Sequence, residues 1–165
     1  MIWLDLLAVG IVVGAVLAES KRQFGATLFD MIAVLGSVKL ARLAGPLLAH
    51  QLTVLRAPDD NQALAIVVML VVAGGVLLVL AKLVQDYVPL TLEGFDSAVG
   101  AICGFAAGTA AAHIVLVAIL AANPATTDWG AAARRHPLVR QVVYFDGYHH
   151  AMRWLRHAGE PEQKP

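Results

Sequence analysis

Asp5, Asp30, Lys39, Arg42, Lys82, Asp96 and His113 all stand in or beside long apolar runs. A charge at membrane depth is costly, so each such group needs a partner, a watery path or a route to the interface. Asp30, Lys39 and His113 together have the chemistry of a proton or ion relay, with Arg42 as a further polar group on its path. The plainer reading is a set of structural pairs near the two interfaces, with Lys39 and Arg42 snorkelling. It is preferred because only Asp30 and His113 lie well inside an apolar run. Asp5 and Lys39 lie equally far on either side of Arg22, so a hairpin turning there would hold them at one depth. Lys39 and Arg42 are three apart and share a helical face, so Asp5 could meet either. By the same count around Val88, Lys82 is expected beside Asp96. Asp30 has no partner that counting identifies, and His113 is expected to bond to a neighbouring helix.

Other chemistries find little support. His136, His149, His150 and His157 invite a metal reading, but neighbouring histidines diverge on a helix and no patterned Cys or acid joins them. The single cysteine, Cys103, lies inside an apolar run, which leaves no disulfide framework. Ser20, Ser37 and Ser97 lack a base at telling spacing, and no phosphate loop or nucleophile elbow is present. The residues therefore point to no catalytic constellation, cofactor or metal. The formal net charge of zero gives no basic surface for nucleic acid.

The elements that must carry these groups are long and apolar. The 165 residues are 59% hydrophobic and 15% charged, against about half and a quarter in soluble domains. The mean hydropathy is +0.71. Four runs qualify as membrane spans, at about residues 2–18, 24–48, 63–83 and 97–122. The first is read as a retained helix, since no basic residue precedes it. Pro46 and the polar residues Arg56 to Asn61 are expected to close the second span. Residues 1–122 thus form a four-helix membrane domain. In 123–157, Asp128-Trp129-Gly130 reads as a loop. From Leu138 to Leu155, apolar residues step by three and four while arginines lie off the stripe, as in an amphipathic interfacial helix. Residues 158–165 read as disordered. The fold class is all-α, a polytopic inner-membrane protein with four transmembrane helices and an amphipathic helical tail.

Small residues mark the packing faces. Gly100, Gly104 and Gly108 fall on one side of the fourth span, with Ala112 continuing the row, and Gly10, Gly14 and Ala18 do so on the first. Such rows let a second helix backbone approach closely.

Gly94-Phe95-Asp96, followed by Gly100-Ala101-Ile102-Cys103-Gly104 and Gly108, resembles the signature of the colicin V production protein (CvpA) family. Trp3-Leu4-Asp5 is similar to that family's opening, and Lys21-Arg22 with Gly25 resembles its basic first turn. His136-Pro137-Leu138 stands where the family often has a small residue before its post-helix apolar run. The resemblance spans roughly residues 1–150. Two positions depart from the pattern. Ala107 stands where the family commonly has Arg, and Glu19-Ser20 stand where a Gly usually precedes the basic pair. The resemblance implies a bacterial inner-membrane protein without enzyme activity, associated with toxin (colicin V) production or export and envelope upkeep. A channel or transporter subunit using Asp30, Lys39, Arg42 and His113 is the alternative. The expected partners are the lipid bilayer and a membrane protein or a second copy. Lys21 and Arg22 favour an inside first turn and periplasmic termini, whereas Arg134, Arg135 and Arg140 pull the other way.

Overall fold

The computed structural model describes residues 2–51, 54–55, 57–88, 90–92, 94–123 and 125–145. Among them the elements are helices: α1 (Ile2–Glu19), α2 (Phe24–Ala49), α3 (Pro58–Tyr87), α4 (Asp96–Ala122), α5 (Asp128–Arg135) and α6 (Pro137–Tyr144). The first four are each long and apolar enough to cross a membrane. At 1.5 Å per residue, even the 18-residue α1 reaches about 27 Å. The apolar residues of these helices largely face outward. On α3, Val71, Val79 and Leu83 are all more than half exposed, which suits lipid and not water.

α4 is the central helix. α1 lies against it on one side, while α2 and α3 form an antiparallel pair that contacts it on another. One core joins Leu4 and Ala8 of α1 to Ala112, Leu116 and Leu120 of α4 and to Ala133 and Val139 of the short helices. A second joins Val38 and Ala41 of α2 to Ile66 of α3 and Ile114 of α4.

The glycine row of α4 explains why α1 chooses that helix. A Cβ at Gly100 would stand 2.5 Å from the Glu19 carbonyl oxygen, and one at Gly104 2.7 Å from that of Ala15. At Gly108 it would stand 2.9 Å from the Val12 Cα. Backbone packs directly on backbone there, which only the absent side chains permit. The matching row on α1 behaves differently. A Cβ at Gly10 or Gly14 would meet nothing within 4 Å among the described residues, so the expectation that they pack a helix of this chain is corrected. α1 turns Val12, Ala15 and Val16 into the groove, while Gly10, Gly14 and Ala18 face outward.

Several boundaries also differ from expectation. Pro46 does not end α2, which continues to Ala49. A proline within a helix costs one N–H bond and frees the carbonyl four residues back, here that of Arg42. α3 begins at Pro58, inside the stretch read as polar loop. Proline in the first turn, with Asp59 and Asp60 beside it, is a start signal that hydropathy does not register. Asp128-Trp129-Gly130, expected to be loop, instead opens α5, because the Thr127 hydroxyl accepts from the Gly130 N–H at 3.0 Å and caps the helix.

α6 stops at Tyr144, where Phe145 takes a left-handed conformation (φ 53). It folds back along α4. The Val142 carbonyl meets His113, nine residues or about 13 Å before the end of α4. The expected continuation of this helix to Leu155, and His149, His150, His157 and the 158–165 tail, lie outside the described residues.

Candidate functional site: three polar clusters on an apolar bundle

The first cluster sits where the α1–α2 turn meets the end of α3. Arg22 bonds to Asp30, and its Nη1 also lies 3.2 Å from Glu19 Oε1. Gln85 of α3 donates to Asp30 Oδ1 and to the Ala26 carbonyl, each at 3.2 Å. Asp30 is therefore a partnered acid at the membrane boundary. Burial pulls the Arg22 guanidinium down, but the Asp30 and Glu19 carboxylates outweigh it and hold the group above its ordinary value. Counting around the turn missed Arg22 because the partner lies in the turn itself, eight residues away on the same strand of chain.

Asp96 forms the next junction. Its Oδ1 accepts from the Leu92 N–H at 2.8 Å and from the Phe24 N–H at 3.3 Å. Beside it the Gly25 N–H donates to the Leu90 carbonyl at 2.9 Å. Two orphan donors at the start of α2 are thus satisfied by the α3–α4 connection, and a carboxylate sits at a helix N-terminus. A Cβ on Gly25 would stand 2.9 Å from the Leu90 oxygen, so the close crossing requires glycine. Gly94 supplies the left-handed turn (φ 81) that brings Asp96 round. The expected Lys82–Asp96 pair does not form. Equal depth places the two residues level, but Asp96 points across to α2 while Lys82 is exposed.

The second cluster lies toward the end of the bundle that carries α5 and α6. Arg42 Nη1 is 3.2 Å from His113 Nε2, and His113 Nδ1 is 2.8 Å from the Val142 carbonyl. The arginine can only donate and the carbonyl can only accept. His113 therefore accepts at Nε2 and donates at Nδ1, which is a neutral imidazole. Its ring stacks on Phe145 with centroids 5.3 Å apart. His113 is buried, as an intramembrane histidine bonded on both nitrogens should be. A cleft of about 470 Å³ opens beside it, lined by Lys39, Arg42 and His113 among apolar side chains.

The third cluster closes that end. Trp3 stacks on Trp129 with ring centroids 5.9 Å apart, and Asp5 Oδ1 lies 3.3 Å from His136 Nδ1. The expectation that Asp5 meets Lys39 or Arg42 is corrected. It assumed that helices adjacent in sequence are neighbours, but α1 packs on α4 and so faces α5 and α6. Arg134 reaches the end of α4, donating to the carbonyls of Leu120 at 2.7 Å and Asn123 at 2.8 Å. A guanidinium so placed satisfies carbonyls that a helix end leaves open and meets the negative end of its dipole. Nothing in the spacing singled out Arg134, since its targets lie 11 and 14 residues back.

Asp30 is not brought to Lys39 or His113. Along α2, nine residues separate Asp30 from Lys39, about 13 Å of helix. The charged groups fall in separate sets, Asp30 with Arg22 near one end of the bundle and Lys39, Arg42 and His113 about the cleft toward the other. Among the described residues, no group of three or more His, Cys, Asp or Glu side chains could hold a metal ion.

Three apolar helices around a glycine-lined fourth, closed by two short helices at one end, define a multi-pass all-α membrane protein. The chain belongs to the colicin V production protein family, whose model matches residues 4–144, nearly the whole chain. No curated protein and no solved structure matches it.

Proposed function

We propose that this protein is a non-enzymatic, multi-pass protein of the bacterial inner membrane that supports toxin (colicin V) production or export and envelope upkeep. It would act through a membrane-protein partner or through self-association. The observation that carries this reading is the family match across residues 4–144. The geometry supports a scaffold more than a conductor. Asp30 is engaged by Arg22 and Gln85, and His113 is bonded on both ring nitrogens. A proton path would need such groups in sequence, and about 13 Å of helix separates Asp30 from Lys39, the nearest of the others along α2.

The first turn, with Lys21 and Arg22 on the cytoplasmic side, would leave both termini in the periplasm. A compartment-sensitive reporter fused to the C-terminus tests that orientation. Function is tested in a colicin V-producing strain that lacks its own family member, complemented with this chain, Asp30→Asn or His113→Ala. A scaffold restores toxin export with either variant at near wild-type level. Loss of export with both variants, at normal protein abundance, would favour a proton-coupled activity instead. Crosslinking in native membranes then identifies the partner.

A further inference from the structure

The cleft beside His113 is unusual in its charge. Lys39 and Arg42 line it, and among the described residues neither has a carboxylate within ion-pair distance. Arg42 bonds to His113, which the geometry makes neutral, so the imidazole orients the guanidinium without cancelling its charge. Leu35, Val38, Leu43, Ala110 and Phe145 complete the lining, and Leu43 is 63% exposed on the lipid-facing flank. Two cations on an apolar wall, open toward the acyl chains, fit an anion that carries its own hydrocarbon.

Depth favours the same ligand. α2 has 26 residues and is about 39 Å long, so it exceeds a hydrocarbon core of roughly 30 Å by about 4–5 Å at each end. Arg42 is seven residues from Ala49, the last residue of α2, which places its Cα about 6 Å inside that boundary. Lys39 is about one turn deeper. The Arg42 stem is long enough to lift its charge to that boundary, and Lys39, about 10 Å inside it, brings a second positive charge beneath. Basic pockets between membrane helices bind acidic lipid headgroups, and in the orientation proposed above this one opens toward the periplasmic leaflet.

We propose that the cleft between α2, α4 and Phe145 binds an acidic phospholipid of the surrounding bilayer. Arg42 holds the phosphate, Lys39 adds its charge from one turn deeper in the cleft, and an acyl chain lies along Leu35 and Leu43. The Arg42–His113–Val142 chain of hydrogen bonds aims the guanidinium and ties α6 to the site. Occupancy would therefore steady the α6 end of the bundle.

The test uses the full chain, purified and reconstituted in vesicles of phosphatidylcholine with or without phosphatidylglycerol. The lipid retained on re-extraction into detergent is quantified by mass spectrometry. Phosphatidylglycerol should be retained over phosphatidylcholine and should raise the thermal midpoint, and inorganic phosphate should not substitute for it. Lys39→Gln, which removes a side chain with no bond to the protein among the described residues, should cut retention. Lys39→Gln with Arg42→Gln should bring it to the phosphatidylcholine level. Equal retention of the two lipids by the wild type, or full retention by the Lys39→Gln variant, would overturn the assignment. Protection by inorganic phosphate alone would also overturn it, in favour of a soluble anion. Asp146 follows Phe145 in sequence, so Asp146→Asn is a necessary arm. Retention found only in that variant would mean that the cations are neutralised internally and the proposal fails.

Discussion

The Asp96 carboxylate accepts a hydrogen bond from the backbone N–H of Phe24, 72 positions earlier in the chain. One acid thus opens α4, closes the turn at Leu92 and caps α2. Asp96→Ala should destabilise the protein by about 1–2 kcal/mol, the usual range for a lost helix cap. Asp96→Asn keeps an acceptor oxygen and should lose less than half of that. Gly94→Ala, which forces a Cβ into the left-handed region, should cost about 1–2 kcal/mol independently. Equilibrium unfolding in detergent measures all three. An Asp96→Ala variant as stable as wild type would show that the junction is incidental.

The two glycine rows make a matched experiment. Gly104→Leu drives a side chain into the backbone of Ala15 and Val16 and should cost at least about 3 kcal/mol, the upper end of overpacking. At Gly10 an added Cβ meets nothing within 4 Å among the described residues, so Gly10→Leu should stay within about 0.5 kcal/mol of wild type. Both substitutions place leucine in an apolar helix, so propensity and insertion change alike. Equal destabilisation would contradict the packing of α1 on α4.

The same contrast shows what the amino-acid sequence could and could not tell. The four long helices were legible because hydropathy is summed over a span and tolerates local irregularity. The glycine rows on α1 and α4 have the same spacing, but spacing says only that a face is smooth. It does not say whether protein or lipid covers it. Pairing by equal depth failed at Asp5 because it needs to know which helices touch, and α1 crosses to α4 instead of lying beside α2. It failed at Asp96 because depth does not fix direction around the helix. Asp128-Trp129-Gly130 reads as loop because so short a helix carries too little periodicity, although Thr127 three residues before Gly130 is a capping signal. Arg134 and Gln85 were invisible for a different reason. Their partners are backbone carbonyls and a distant carboxylate, and only the assembled bundle brings these within reach.

Arg22 and Asp30 should be energetically coupled. The Arg22 side chain is 42% exposed, so solvent screening keeps the expected coupling to about 1 kcal/mol, at the upper edge of what exposed pairs show. A double-mutant cycle of Arg22→Gln and Asp30→Asn in detergent measures it. Glu19 would still engage Arg22 in the Asp30→Asn variant, so this single change should be milder than Arg22→Gln. Additive effects would mean that the pair contributes nothing beyond its separate members, and Gln85 would then be the group that positions Asp30.

Arg134 should matter more than its place on a short helix suggests. Its guanidinium carries the open carbonyls of Leu120 and Asn123 and also meets that of Gly130 at 3.2 Å. Replacing it with methionine keeps the stem but removes the charged donors, and should cost about 2 kcal/mol, the range for hydrogen bonds to a charged group. Lysine keeps the charge at the negative end of α4 but not the fork, so it should recover only part of the loss. The loss should also be local first. α5 and α6 are held to α4 partly through this contact, so hydrogen exchange in residues 128–144 should rise in Arg134→Met before that of the buried stretch of α4 around Ala112. Uniform deprotection of all six helices would instead mean that the short helices and the span unfold as one unit, with Arg134 contributing to the whole.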